Sequence, residues 1–169
     1  MPKIIENLKP RLLEEAKRQV MENGYGAMTI RSVAVQCGVG VGTVYNYFPS
    51  KEAMTASFML DDWQQCIAAI RACEAKTSEP KPIAFEICKQ LRLFASKYDA
   101  LFRDSGAVAG FAGAFGSYHS ILRGQLADPL EQFCEDRFSA EFAAEALLTW
   151  TMAGKAFEEL YCLVEKIFK

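Results

Sequence analysis

Residues 28–54, MTIRSVAVQCGVGVGTVYNYFPSKEAM, constrain this chain more than any other stretch. Thr29 stands just before the apolar series Ile30, Val33, Ala34 and Cys37, whose i, i+3, i+4, i+7 spacing is one face of a helix over 30–37. Its hydroxyl is expected to accept a hydrogen bond from the unpaired N–H groups of that helix start. Gly38 follows, where a helix end favours a residue tolerant of positive φ. Gly40, Val41 and Gly42 then lead into Thr43-Val44-Tyr45-Asn46-Tyr47-Phe48, and a second short helix is predicted over 42–48. Val44 and Phe48 are four apart and are expected to pack inward, which leaves Thr43, Asn46 and Tyr47 on the other side. Pro49 stops this helix, and Ser50 caps a third that opens with Lys51 and Glu52. Two short helices joined by a tight turn form a helix-turn-helix, an arrangement whose second helix lies in the major groove of DNA.

The positions Gly24-Tyr25, Thr29, Val33-Ala34, Gly38-Val39, Gly42-Thr43-Val44-Tyr45, Tyr47-Phe48 and Ser50-Lys51 carry a further signal. In order and spacing they resemble the DNA-binding domain of the TetR-type (tetracycline-repressor) family of bacterial transcription regulators. The run GTVYNYFPSKE behind a matching first helix gives the resemblance its specificity, and the rest of the chain is similar to the family only in being helical. The resemblance implies that Thr43 and Tyr47 contact phosphate or base. It implies that Tyr45 meets phosphate while packing its ring, and that Asn46, at the variable position, reads adenine through its amide. Lys51 is the implied phosphate clamp at the next helix start, with Thr29 and Arg31 as further candidates. Three bland alternatives stay open: Tyr45 as core, Thr29 as a cap alone, and Lys51 as a solvated side chain. Where members of the family often carry a hydroxyl and then a basic residue, this chain has Gly40 and Val41. That turn, with Gly42, is left to contact DNA through backbone N–H groups or apolar packing on a thymine methyl.

Net charge looks unsuited to a DNA binder until the chain is divided. The whole chain carries −2. Residues 1–51 hold seven basic residues (Lys3, Lys9, Arg11, Lys17, Arg18, Arg31, Lys51) against four glutamates, a net +3, and the remainder carries −5. The positive excess therefore lies on the reading domain, where phosphates are met.

Half of the 169 residues are hydrophobic, so the chain is long and apolar enough for a real core. No apolar run reaches the length of a membrane span. The opening MPKIIENLKP has charges and no apolar centre, so no secretory signal is expected and a cytoplasmic protein follows. Six cysteines (Cys37, Cys66, Cys73, Cys88, Cys134, Cys162) form no CxxC pair, and there is one histidine, His119. Buried reduced thiols are expected, and neither a metal nor a cofactor. Cys66 and Cys73, seven apart on one straight helix, are separated by about 10 Å of rise, too far to bridge. No nucleophile–base set, phosphate-cradling loop or carboxylate pair stands out, so an enzyme is not expected and no catalytic residue is assigned.

An all-α chain is predicted, with a helix-turn-helix DNA-binding domain at 1–50 and a helical ligand-binding and dimerisation domain at 51–169. Further helices are predicted over 4–22, 51–75, 83–98, 117–136 and 139–167. Asp128-Pro129-Leu130-Glu131 reads as a fresh helix start inside the fourth of these, and Ser139 as the cap of the last. Residues 76–82 read as a polar, proline-bearing loop. Residues 106–116, GAVAGFAGAFG, hold four glycines in eleven positions, which opposes a stable helix and marks the segment expected to move with a ligand.

The resemblance implies a regulatory domain that binds a small molecule and dimerises through its last two helices. Candidate pocket residues are Trp63, Phe94, Tyr98, Phe102 and Phe111, continuing with Phe115, Tyr118, His119 and Trp150. An apolar or aromatic effector suits them, with His119 and Arg103 available to an acidic group. The last helix is apolar on more than one side, which requires cover on more than one face. Phe142, Leu147, Trp150, Phe157, Leu160, Tyr161 and Val164 are the candidate dimer contacts, with an ordinary core helix as the alternative. The function implied is a homodimeric regulator of transcription on a palindromic operator in double-stranded DNA. Repression is the commoner outcome, relieved by a small, largely apolar effector. The rival is a helical DNA- or protein-binding adaptor whose second domain only dimerises and binds no ligand.

Overall fold

The computed structural model describes residues 7–112 and 115–169, with the backbone alone for 115–118. In chain order the helices are α1 (Leu8–Asn23), α2 (Ile30–Cys37), α3 (Val41–Tyr45), α4 (Lys51–Glu74), α5 (Pro80–Lys97), α6 (Asp99–Arg103), α7 (Ser105–Phe111), α8 (Phe115–Ala127), α9 (Arg137–Met152) and α10 (Phe157–Val164). Short 3-10 turns occupy Asp128–Phe133 and Glu165–Ile167. No strand occurs among the described residues, as the all-α prediction required. No helix among them is long and apolar enough to cross a membrane.

The chain forms two compact units, Met1–Asp62 with Asp99–Ala112, and Trp63–Tyr98 with Gly113–Lys169. The division falls inside α4, not at the boundary expected after residue 50, and the first unit also takes in α6 and α7.

The first unit is built on α1, which buries Leu8, Leu12, Leu13, Ala16 and Val20 along one stripe. Gly24 ends it at φ 84°, its N–H donating to the Val20 carbonyl. Within the helix predicted over 4–22, residues 4–6 lie outside those described. Helix α2 follows its sequence signals closely. The Thr29 hydroxyl accepts from the Ser32 N–H, and the Ser32 hydroxyl accepts in return from the Thr29 N–H, both at 3.0 Å. Gly38 closes the helix at φ 68°, with Val39 N–H on the Ala34 carbonyl and Gly38 N–H on the Val35 carbonyl. That pair of bonds is a Schellman motif, which leaves the helix by a left-handed residue. Met28, Ile30, Val33, Ala34, Val44, Phe48, Met54 and Phe58 complete the core of the unit.

The second unit has its own core, in which Ile67, Ile70, Ile83, Ile87, Leu91, Leu126, Leu130 and Leu147 are buried. Its helices α5, α8, α9 and α10 pack around that core, with α9 against each of the other three. Helix α5 begins at Pro80, earlier than the predicted 83, so the loop predicted over 76–82 is shorter. Proline suits a helix start because the N–H it lacks has no intrahelical partner there.

Three further predictions are corrected. Residues 105–111 are helical, because the Asp104 carboxylate accepts the Ala107 N–H at 2.9 Å and outweighs the glycines at the helix start. The helix predicted over 117–136 runs from Phe115 to Ala127 and then tightens into a 3-10 turn at Asp128–Phe133, where Pro129 supplies no N–H to continue the helix. The helix predicted over 139–167 is two helices. Asp136, not Ser139, caps the first by accepting the Ser139 N–H at 2.7 Å. It ends in a second Schellman motif, with Gly154 at φ 83°, its N–H on the Thr151 carbonyl, and Lys155 N–H on the Trp150 carbonyl.

Candidate nucleic-acid interface

The recognition segment is short. Helix α3 spans Val41–Tyr45, and a turn carries the chain through Asn46 and Tyr47 to Phe48. Val44 and Phe48 are fully buried anchors, 0% and 2% exposed, as their spacing predicts. The opposite side presents Gly42 and Asn46 to solvent, with Thr43 and Tyr47 half-buried. Tyr45 is 52% exposed, so the alternative that it is core is overturned. Gly40 is the N-cap of α3 and has no side chain to bond the free N–H groups there. The Thr43 and Val44 N–H groups bond the Gly40 carbonyl instead, at 2.9 and 3.4 Å.

Thr29, Arg31, Val41, Tyr45, Ser50 and Lys51 come together around an open surface hollow of about 550 Å³, with Ile30, Pro49 and Glu52 completing its wall. The hollow thus joins the start of α2, the outward side of α3 and the start of α4. A helix start carries unpaired N–H groups and the positive end of the helix dipole, so this is a place where an anion such as phosphate is stabilised. Arg31 is exposed beside it. Asn46, Thr43, Tyr47 and Gly42 are outside the lining and face the solvent side of α3 and its turn.

Lys51 is more constrained than the sequence indicates. Its ammonium donates to the Tyr25 carbonyl at 2.8 Å and the Met28 carbonyl at 3.3 Å, and lies 3.8 Å from the centre of the Tyr25 ring. It ties the loop before α2 to the start of α4, and the solvated alternative does not hold. The neighbouring Tyr25 hydroxyl donates to the Glu52 carboxylate at 2.9 Å. Burial pushes the Tyr25 phenol well above its ordinary value, helped by that bond and by the charges of Glu52 and Asp104. The Glu52 carboxyl is held below its ordinary value, first by its own backbone N–H. The Ser50 and Tyr25 hydroxyls and the Lys51 charge add to this, against the opposing pull of burial.

The positive excess of the N-terminal segment is partly consumed internally. Lys17 pairs with the buried Asp62 at 2.6 Å, and Arg18 pairs with Glu15 and Glu22. Arg11 donates to the Cys37 carbonyl at 3.4 Å, at the negative end of α2. Lys9 lies 5.9 Å from the Phe48 ring centre, so it covers the end of the recognition turn, a placement that sequence spacing does not reveal. Lys9, Arg11, Arg18 and Arg31 are the exposed cations among the described residues of this part of the chain, Arg18 already in ion pairs; Lys3 lies outside the described residues.

The other predicted sites fare differently. Trp63 and Tyr98 are buried in the second unit, 2% and 0% exposed, with the half-buried Phe94 between them. Phe94 meets Trp63 edge-on at 5.6 Å and Tyr98 at 4.9 Å, and the Trp63 indole N–H donates to Gln125 at 2.6 Å. These three rings pack on one another as core. Phe102 is exposed and Phe111 half-buried, and both belong to the first unit. The side chains of Phe115 and Tyr118 lie outside the described residues. His119 faces Glu145 at 3.5 Å, and Arg103 is exposed and pairs with Asp99 at 2.9 Å.

Among the dimer candidates, Phe142 and Trp150 are 58% and 50% exposed on α9. Leu147, Phe157, Leu160, Tyr161 and Val164 are buried within the chain itself and are corrected to core. Phe138 and Met152 are exposed on the same helix, outside the predicted contact set. Cys37, Cys66, Cys88 and Cys134 are buried, Cys73 is half-buried, and Cys162 is exposed, contrary to the expectation of buried thiols throughout. Burial raises the Cys88 thiol above its ordinary value. No group of metal-ligating side chains is assembled among the described residues.

Comparison with known proteins agrees with the motif. The model of the bacterial regulatory proteins, tetR family, matches residues 12–57, which contain α2, α3 and the start of α4. The HTH-type transcriptional regulator UidR of Escherichia coli K12 is 30% identical over 63 residues, 37% of this chain and 32% of that protein. The fatty acid metabolism regulator protein of Bacillus subtilis is 28% identical over 89 residues, 52% of this chain and 46% of that one. The chain therefore matches less than half the length of either relative. Similarity of fold extends further. The SCO7518 protein of Streptomyces coelicolor A3(2) superimposes with a TM-score of 0.70 at 12% identity, covering 95% of this chain and 98% of that one. Residues 12–57 therefore match the helix-turn-helix region of the tetR family of bacterial regulatory proteins, and the fold around them is similar to that of a solved structure.

Proposed function

We propose that this protein is a homodimeric, DNA-binding regulator of transcription that acts as a repressor on a palindromic operator. The observation that carries the reading is the convergence of Thr29, Arg31, Tyr45 and Lys51 on one open hollow beside the exposed side of α3. Phosphate settles over the start of α2, and the side of α3 bearing Thr43, Asn46 and Tyr47 meets base edges. The bare turn at Gly40 and Val41 leaves few side-chain contacts to bases, so affinity leans on phosphate contacts and backbone N–H groups. Two reading units related by a two-fold axis meet half-sites one helical turn apart, or a multiple of it. Repression follows from occupying the duplex.

Release comes from a small apolar effector that packs among the second unit's helices and favours a different angle of α4. The effector acts only in so far as it binds the two states unequally. Calorimetric titration of candidate effectors with and without bound duplex tests this, and equal affinity in both ends the effector reading. The closed packing of Trp63, Phe94 and Tyr98 favours a second reading, in which the C-terminal unit dimerises and takes no ligand.

DNA binding is tested by the salt dependence of affinity for duplexes recovered by the protein from a random-sequence pool. A steep fall with salt is expected, and Arg31→Ala is expected to reduce the slope by about 0.9, the loss of one phosphate contact. Lys51→Ala is expected to weaken binding evenly across sequences. Affinity that is flat with salt would remove the function proposed here.

A further inference from the structure

We infer that Tyr25 is a positioning residue for the DNA-reading face, and that α7 holds it in place through a notch at Gly110. The inference rests on the DNA-reading function proposed above. All the groups concerned belong to the first unit.

The notch is visible in what a side chain at Gly110 would meet. A Cβ there would lie 3.0 Å from Glu52 Cγ and 3.6 Å from the Tyr25 hydroxyl. Glycine is the residue that lets the α7 backbone come this close. The next residue, Phe111, sets its ring 6.4 Å from the Tyr25 ring. Tyr25 is 4% exposed, although it lies in a loop between helices, and its hydroxyl is bonded to Glu52. Its ring carries the Lys51 ammonium at 3.8 Å, and Lys51 bonds the carbonyls of Tyr25 and Met28. Met28 is fully buried and directly precedes Thr29, the residue that caps α2 and borders the hollow. An unbroken series of contacts therefore runs from α7 through Tyr25 and Lys51 to the start of the reading pair.

The sequence of α7 makes this series conditional. SGAVAGF has two glycines in seven residues, and glycine in a helix costs about 1 kcal/mol against alanine. Such a helix depends on its Asp104 cap and on its docking. Docked, it fixes Tyr25 from behind; undocked, it loses helical support and releases the loop that leads into α2.

Amide hydrogen exchange of residues 25–33 in the full chain tests the device without DNA. In Gly110→Leu these amides are expected to exchange about tenfold faster, and in Gly110→Ala, which adds one methyl and favours helix, about threefold faster. Ala109→Leu, at an exposed position of the same helix, is the control and is expected to leave them unchanged. Unchanged exchange in the glycine variants overturns the inference, as does equal acceleration in Ala109→Leu. Should Gly110→Leu fail to fold, Gly110→Ala decides by the same measurement. Affinity for a duplex selected by the wild type is expected to fall in step with exchange, and faster exchange at unaltered affinity overturns the positioning role. A wild type that binds no duplex would sink the DNA reading instead, while the exchange result would still decide whether α7 holds the loop.

Discussion

At the residue scale, the recognition turn is defined as much by a missing group as by those present. Gly40 sits at the N-cap of α3 with φ −69° and ψ 146°, a conformation any residue adopts. A Cβ there would meet only the Thr43 hydroxyl, at 3.7 Å, an ordinary contact. Gly40→Ser therefore fits without strain. It supplies a side-chain oxygen at the N-cap of α3 worth a few tenths of a kcal/mol, and a hydroxyl available to the duplex. We expect a binding titration to show affinity raised about threefold, the value of one modest hydrogen bond. A fall in affinity would mean the bare backbone is itself the contact. Glu52 gives a prediction in pH. Its carboxyl is depressed in the folded state from an ordinary value of 4.5. A depressed acid adds stability above its unfolded value, and that stability is lost as pH falls through the folded one. Urea midpoints measured from pH 6 downward should fall below about 4.5 less steeply in Glu52→Gln than in the wild type. Equal slopes would show that other carboxylates, such as Glu15 and Glu86, carry the acid sensitivity.

At the scale of elements, helix ends were legible where the signal was local and hidden where it was not. Thr29, Gly38 and Ser50 mark the reading pair through bonds to residues within five positions, so sequence sufficed. The break after α9 was also written locally, in Gly154 followed by Lys155, but the apolar periodicity on either side masked it. Gly154 holds φ 83°, where an L side chain is strained. Gly154→Ala is expected to cost about 1 kcal/mol, or somewhat more, in chemical denaturation. An unchanged midpoint would mean that α9 and α10 tolerate a different junction. The α7 helix was illegible for a different reason, since its glycines oppose helix and its docking partners, Tyr25 and Glu52, lie far away in sequence. Lys51 follows the same logic. Its place at a helix start was clear, yet its carbonyl partners are 23 and 26 residues away and decide what the ammonium does. The mutual packing of Trp63, Phe94 and Tyr98 was hidden for a related cause, because aromatic spacing cannot distinguish rings that line a space from rings that fill it.

At the scale of the molecule, the proposed palindromic operator demands two reading units held at a fixed spacing, and α9 is the surface expected to provide it. Phe138, Phe142, Trp150 and Met152 are each close to half exposed or more, and Phe138 and Phe142, four apart, share one side of the helix. Glu145 on the same helix bonds Thr149 and faces His119, so polar groups lie beside the apolar residues. Exposed aromatic side chains mixed with polar groups suit the subunit contact that the proposed dimer needs. Leu147 is the internal contrast. It is fully buried, and Leu147→Ala should cost about 2–5 kcal/mol of stability without acting on assembly in particular. Phe142→Asp should do the reverse. Its side chain already faces water in the single chain, so the fold is expected to keep its melting temperature within a few degrees. Light scattering coupled to size exclusion should then report a monomer at micromolar concentration. Two half-sites no longer read by linked units lose the advantage of effective concentration, so affinity for the palindrome should drop about 100-fold or more, toward that of a single half-site. A Phe142→Asp protein that remains dimeric, or one that is monomeric yet binds the palindrome as well as the wild type, would remove α9 from the assembly that reads DNA.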